Sequence, residues 1–414
     1  MSKTLKALAL VASLLLMGVS APVMAQTAAA TPAATAAPTV AAPVVKVDGL
    51  VDAYYSYNFA DSGEKPYPGV TQNTGLNYNA GSNQYQIGLA ELKATATQGS
   101  ATGVVELAYQ DYNTMGLPGV GLGPDAGVAA TAGIGVLQAY AQYTTGAFTL
   151  TGGRFVTWMG NEVVEAPSNW NYSHSILFTY TIPVWDQGVN VSLAVDPTLS
   201  ITGYATNGWN NTLNTAAFTA QTFGAEVAWT PNSTWKFVLN GIDGPSTVTG
   251  LPNVNAYDFA VGELIVSYAA ASDLSLALDA EYGGLDAGTT FSYVAPNATS
   301  PQTLSSATFW GVDLYGKWQA SSDTFLAARL EYVSDPLNVL NIFGNGNGFG
   351  EDEVTAGEGT LTLTKAFTPA WTVSLEDEYV FEGDDVTTGT AAAHPFPEGK
   401  PNEDVATVST AFVF

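Results

Sequence analysis

From Val47 to the last residue the chain is written in a two-residue period, and that period excludes most folds before any composition is counted. In VDGLVDAYYSYNF, Val47, Gly49, Val51, Ala53, Tyr55, Tyr57 and Phe59 share one face, and Asp48, Leu50, Asp52, Tyr54, Ser56 and Asn58 share the other. Successive strand side chains point to opposite sides, so this stretch is a strand with one apolar and one polar face. LSLALDAEY repeats the pattern with Leu274, Leu276, Leu278, Ala280 and Tyr282 against Ser275, Ala277, Asp279 and Glu281; WGVDLYGKW and FGAEVAW follow it. Sixteen such runs predict strands over 47–59, 84–96, 102–111, 134–143, 147–156, 187–195, 199–207, 221–229, 233–242, 256–268, 273–283, 307–318, 323–333, 353–364, 370–381 and 404–414.

The connections between them alternate. Short ones (TQGSA, TTG, DPT, TPN, AAA, QASS, KAFTP) are interleaved with long ones at 60–83, 112–133, 157–186, 208–220, 243–255, 284–306, 334–352 and 382–403. An even strand count with tight turns at one end and long loops at the other is the plan of an all-β, antiparallel transmembrane barrel of the outer-membrane type, here of about 16 strands. The final VATVSTAFVF keeps Ala406, Val408, Thr410, Phe412 and Phe414 on the apolar face to the very end. A bilayer offers no water to an open sheet edge, so this last strand must pair with the first. Its terminal Phe, with an aromatic two residues before, resembles the signature by which outer-membrane barrels are recognised, making Phe414 the expected contact for barrel-assembly machinery. Aromatics flank three short turns (Trp229 and Trp235, Trp318 and Phe325, Phe367 and Trp371), where an interfacial girdle is expected.

Composition agrees with a lipid-facing barrel. Charged residues are 12% and mean hydropathy is +0.12, yet past the amino terminus no run of ~20 apolar residues could make a membrane helix. The first 25 residues read as a secretory signal peptide: Lys3 and Lys6, then ALALVASLLLMGV, then Val23-Met24-Ala25 before Gln26. Residues 26–46 form an Ala/Pro/Thr-rich linker, and 47–414 the barrel, exported to the outer membrane of a Gram-negative-type bacterium. With no Cys, disulfides, thiolate metal sites and Cys nucleophiles are excluded. Taking Lys3 and Lys6 from the 11 basic residues leaves nine against 37 acids, a balance that excludes nucleic acid as a partner.

Alternation assigns Asp48, Asp52, Glu91, Glu106, Glu226, Glu263, Asp279, Glu281, Asp313, Glu331, Glu358, Glu376 and Glu378 to the lumen, with Lys93, Lys236, Lys317 and Arg329 as the opposing bases. Carboxylates lining a pore raise local cation concentration and reject anions, so cation preference is expected; the competing reading is that acids and bases such as Glu331 and Arg329 pair and keep the lumen wet. The connection 157–186 is the longest and carries Trp158, Asn161, Glu162, Trp170, Asn171, Tyr172, His174, Trp185 and Asp186. Three Trp in a loop gain nothing from water, so this loop is expected to fold inward as a constriction, with a lid against neighbouring loops as the alternative. Arg154 shares parity with lipid-facing Phe148 and Leu150, an expensive position that a bulge at Gly152-Gly153 would relieve.

No cofactor, metal or catalytic residue is expected. The acidic loops GEDEV and EGDDV lack the spaced ligands of a calcium loop and read as a solvated rim. In YSHSI, Ser173 and Ser175 would turn away from His174 on a strand, which leaves no nucleophile–base pair, and His394 has no evident partner.

At VDGLVDAYYSYNF, and again at GGRFVTWMGNEVVEAPSNWNYSHSILFTYTIPVWDQGVNVSLAV, the chain resembles the OmpL-like β-barrel porin-2 family. With the terminal Phe, the likeness covers most of 47–414; Gly153-Arg154-Phe155, Gly160, Glu162, Pro183 and Gly188 carry its most specific part. It departs at His174, where Arg often stands, and at Asp186-Gln187-Gly188, where His-Thr-Gly often stands, so a family-like basic cluster is not carried over. The resemblance implies an outer-membrane diffusion porin passing ions and small hydrophilic solutes, surrounded by outer-membrane lipids and, by analogy with barrels of this size, a homotrimer. The alternatives are a structural or adhesive barrel, a barrel plugged by a partner protein, or an outer-membrane lipid hydrolase.

Overall fold

The computed structural model describes residues 42–59, 83–111, 119–121, 133–210, 221–246, 257–293, 302–336, 340, 354–382 and 402–414. Its strands are β1 (Val44–Asn58), β2 (Gln84–Gln98), β3 (Ala101–Gln110), β4 (Gly119–Gly121), β5 (Gly133–Thr145), β6 (Phe148–Val156), β7 (Trp185–Asp196), β8 (Leu199–Thr206) and β9 (Thr222–Trp229). They continue with β10 (Trp235–Ser246), β11 (Tyr257–Ala269), β12 (Leu274–Tyr293), β13 (Gln302–Ser321), β14 (Thr324–Asp335), β15 (Val354–Thr368), β16 (Trp371–Glu382) and β17 (Asn402–Val413). Antiparallel ladders join β1, β2, β3, β5 and each later strand in turn, and β17 pairs with β1, closing a sixteen-strand barrel. The three-residue β4 lies beside this ring. It pairs with Gly133–Gly135 of β5, past Ala139, the point where β6 leaves that edge.

Closure runs to the last residue. Leu50 faces Val413 and Asn58 faces Val405 across the seam, and Gly49 and Phe414 exchange two backbone hydrogen bonds of 2.9 Å. A Cβ at position 49 would lie 2.3 Å from the terminal ring, so glycine there is what lets Phe414 lie flat across the first strand. Among the described residues the closed ring itself has no open edge for a second chain to extend.

The two faces of the wall differ as the alternation requires. Leu330 is 62% exposed while its neighbours Arg329 and Glu331 are buried; Leu361 and Leu363 are exposed between buried Thr360, Thr362 and Thr364. Among the described residues no helix is long and apolar enough to cross a membrane, so the crossing is made by strands. At the short-turn end, Trp229, Trp235, Trp318, Phe367 and Trp371 are exposed on the outer face, with Trp235 stacked on Tyr268 at 4.2 Å and Phe367 against Trp371 at 5.1 Å. Such amphipathic rings suit the lipid–water boundary.

Three details differ from the sequence expectation. The first strand begins at Val44, three residues into the proposed linker. Strands β12 and β13 run to 20 residues each where a loop was expected over 284–306, about twice the ~9–11 residues needed to span a bilayer. Phe325 shares parity with buried Ala327 and Arg329 and faces inward, with Lys317 Nζ 3.9 Å from its ring centroid, so it is not part of an outer girdle. The expected signal peptide 1–25, residues 26–41 of the expected linker, residues 351–353 and 383–386 of the acidic loops, and His394 lie outside the described residues.

Candidate functional site, a loop folded into the barrel

The chain leaves the wall after β6, and Thr157 N donating to Val184 O at 3.0 Å closes the base of the loop. Between these points it crosses the lumen. Every residue from Asn171 to Phe178 is buried, an unusual state for a connection unless it is surrounded by protein. One 3₁₀ turn (Ala166–Ser168) and one short helix, α1 (Ile176–Tyr180), shape it. Ser175 caps α1 by accepting from Phe178 N at 3.0 Å.

Wall carboxylates hold this loop by its backbone. Gly160 N donates to Glu263 Oε1 at 2.7 Å, and Asn161 N to Asp279 Oδ2 at 2.9 Å. Glu376 accepts from two consecutive donors, Tyr172 N at 2.6 Å and Ser173 N at 2.8 Å. Glu331 does the same at the start of α1, from Ile176 N at 2.8 Å and Leu177 N at 2.6 Å. Tyr172 Oη donates to Asp52 at 2.9 Å, and Asn171 Nδ2 to Thr362 at 2.8 Å. Hydrogen bonds to an ionised acceptor are about twice as strong as neutral ones; strands β1, β11, β12, β14 and β16 grip the loop through carboxylates, and β15 through the Thr362 hydroxyl.

Arg329 adds the cation. Fully buried on β14, it pairs with Glu162 of the loop at 2.8 Å, with Glu358 at 2.5 Å and with Glu378 at 3.6 Å. It also donates to Ser173 O at 2.7 Å and Ser173 Oγ at 2.9 Å. Tyr315 Oη donates to Asp313 at 2.7 Å next to this group, and Trp170 stands edge-on to Tyr315 at 6.4 Å. Apolar contacts complete the seat. Ile176 and Leu177 pack on Val333, Ala356, Val380 and Val405, and Met159, Val164, Phe178 and Ile182 join a cluster with Leu89, Phe259 and Phe309.

The other residues singled out in the sequence are placed as follows. Lys93 pairs with Glu106 at 3.0 Å, and carboxylate oxygens of Glu91, Glu106 and the loop residue Glu165 lie within 4.8 Å of one another. Burial holds the Glu165 carboxyl above its ordinary pKa, Glu106 adds to this, and Lys93 opposes it. Asp48 pairs with Lys46 at 2.6 Å at the short-turn end of β1. Glu226 and Lys317 are half-buried and Lys236 exposed, all on inward parity. Trp158 stacks on Tyr204 with centroids 3.8 Å apart. Trp185 and Asp186 are buried at the head of β7. His174 is buried, its Nε2 is 2.8 Å from Val163 O, its ring stacks on Phe178 at 4.9 Å, and burial pushes its pKa below 6.5 against the pull of Glu162. Ser173 Oγ accepts from Arg329 and Ser175 Oγ from Phe178 N, so both oxygens serve the loop's scaffold.

Arg154 is not set against hydrocarbon. It is buried, Nη1 donates to Val136 O at 2.9 Å, and its guanidinium lies 3.9 Å from the Trp185 ring centroid. No extra residue interrupts the β5–β6 or β6–β7 register around Gly153. Instead Gly153 adopts φ +137°, where a Cβ would sit 2.3 Å from Ala139 O, so the expected bulge is replaced by a glycine conformation closed to other residues. Glu165, Asn240 and the apolar patch Val333, Ala356, Val380 and Val405 were missed in the sequence. Inward parity marks the wall residues among them, but Asn240 and the apolar patch carry no charge that sets them apart from other inward positions.

A closed sixteen-strand antiparallel barrel with lipid-facing alternation and an inward-folded loop after the fifth wall strand, β6, defines the class of outer-membrane porin-type barrels. Within it, the chain belongs to the beta-barrel porin-2, OmpL-like family, whose family model matches residues 44–414. Among solved structures it is similar to an anion-selective porin from Comamonas acidovorans (10% identity, TM-score 0.57, covering 90% of this chain and 100% of that one). It is also similar to a loop L8 deletion mutant of OmpT, an outer membrane protein of Vibrio cholerae (10%, 0.56, 90% and 100%), and to Salmonella typhi OmpF in complex with daunomycin (12%, 0.52, 89% and 97%). At these identities the likeness is one of fold. No curated protein sequence matches the chain.

Proposed function

We propose that the protein is a diffusion porin for ions and small hydrophilic solutes, that the loop 157–184 sets its narrowest section, and that it prefers cations. The observation that carries this reading is the set of wall carboxylates around the seated loop: Asp52, Glu263, Asp279, Glu281, Asp313, Glu331, Glu358, Glu376 and Glu378 against Arg329 and Lys317. An excess of fixed negative charge in a low-dielectric cylinder concentrates cations along the adjoining water path and excludes anions. The wall from β2 to β10 adds Glu91, Glu106, Asp186 and Glu226 against Lys93, Arg154 and Lys236. The reading takes the barrel as a passive conduit, with no catalytic step.

Reversal potentials across a planar bilayer test the proposal. In a potassium chloride gradient the refolded protein should give a potential of the sign set by potassium. A potential of the chloride sign refutes the cation preference, and absence of conductance refutes the diffusion reading in favour of a plugged or structural barrel.

A further inference from the structure

Glu263 and Glu281 stand directly opposite each other on β11 and β12, and Asp279 lies one inward position along β12. All three are at least 96% buried, and one carboxylate oxygen from each lies within 4.8 Å of the others. Among the described residues none of the three has a Lys, Arg or His partner; Arg329 pairs with Glu162, Glu358 and Glu378 instead. Neutral donors satisfy only part of the group: Gly160 N and Asn240 Nδ2 on Glu263, and Asn161 N on Asp279. Both oxygens of Glu281 and Oδ1 of Asp279 have no hydrogen-bond donor. The nearby Thr181 hydroxyl gives its proton to Leu177 O at 2.6 Å.

Like charges paired directly across a sheet repel, and ionised carboxylates are not kept in an interior without a counter-charge. A side chain buried to this degree, with no donor to either oxygen and one of them within 4.8 Å of oxygens from two other carboxylates, calls for a cation. We infer that Glu263, Asp279 and Glu281 bind one divalent cation of the calcium type. Calcium takes oxygen ligands at ~2.3–2.6 Å in flexible geometry, so two ligand atoms on one ion stand at most about 5 Å apart, as these do; magnesium demands a tighter octahedron. Because Glu263 and Asp279 also hold Gly160 and Asn161, the ion fastens the root of the loop to β11 and β12. The site does not depend on the barrel's ion preference.

The test is calorimetric titration of calcium alone into the refolded, chelator-treated full chain in detergent, for the wild type, Glu281→Gln and the exposed-turn control Asp196→Asn. One saturating calcium per chain is expected in the wild type and the control, with at least tenfold weaker binding in Glu281→Gln. Urea unfolding supplies a second arm. With chelator, Glu281→Gln should outlast the wild type because one repelling charge is gone; with calcium the order should reverse. Magnesium at equal concentration should not raise the wild-type midpoint. Absence of saturable binding, equal binding by Glu281→Gln, or an order of stability that calcium does not reverse would each overturn the inference, the last by showing that protons alone neutralise the triad.

Discussion

Replacing Arg329 with Met tests how the loop is held. Arg329 is fully buried and its guanidinium serves Glu162, Glu358 and Ser173 at 2.5–2.9 Å, with Glu378 at 3.6 Å. Methionine fills comparable volume but supplies no donor, which leaves the Glu358 and Glu162 carboxylates buried without their cation. Removing one partner of a buried ion group costs about 3–5 kcal/mol. At ~1.4 kcal/mol per tenfold, the ratio of folded to unfolded protein should fall by roughly a hundredfold to several-thousandfold. Urea titration of the refolded barrel in detergent, followed by tryptophan fluorescence, measures this. Pairing Arg329→Met with Glu358→Gln should recover part of the loss, because one stranded charge is then removed. A single variant within about 1 kcal/mol of wild type, with no recovery in the double, would show that Arg329 does not carry the charge group.

Glu376→Gln keeps the shape but offers one neutral acceptor where two N–H groups shared a carboxylate, and should cost about 1.5–3 kcal/mol; amide exchange at Tyr172 and Ser173 should accelerate while strand amides elsewhere stay protected. Gly153→Val should reduce the heat-modifiable folded fraction on gels, because φ +137° with Ala139 O at 2.3 Å excludes a Cβ, a strain of about 1–3 kcal/mol or more. His174 has a folded pKa held below 6.5 by burial, so the unfolded chain binds its proton first and stability is lost as pH falls through and below 6.5. The drop in urea midpoint between pH 7.5 and pH 5.5 should therefore be smaller in His174→Gln than in wild type, and an equal drop would refute the assignment.

The wall was legible because it obeys a local rule. One residue in two must face hydrocarbon, so Leu330 between Arg329 and Glu331 is readable without any partner in view. The seam was legible for a related reason: an edge strand in lipid has to be paired, which places the last strand, with Phe414 over Gly49, against the first. The length of β12 and β13 was not, because above the bilayer the outer face no longer needs to be apolar and the alternation fades. The seat of the loop was hidden for a deeper reason. Parity put Glu331 and Glu376 inside but could not say that they receive backbone N–H groups from residues some 155 and 204 positions away in sequence. Carboxylates read as facing open water are in large part anchors. Arg154 failed the simple rule where geometry is local, at a positive-φ glycine, whereas Phe325 obeys it and packs inward under Lys317, so that flanking a short turn did not make it a girdle ring.

Conductance of a barrel lacking the loop bears most directly on the whole account. Residues 161–181 replaced by a short Gly-Ser link leave β6 and β7 paired through Gly153 and Gly188 and remove the segment that crosses the lumen among the described residues. Single-channel conductance of this variant in planar bilayers should rise several-fold over wild type, with weaker ion discrimination. An unchanged conductance in a correctly folded variant would contradict the claim that a carboxylate-anchored loop defines the pore.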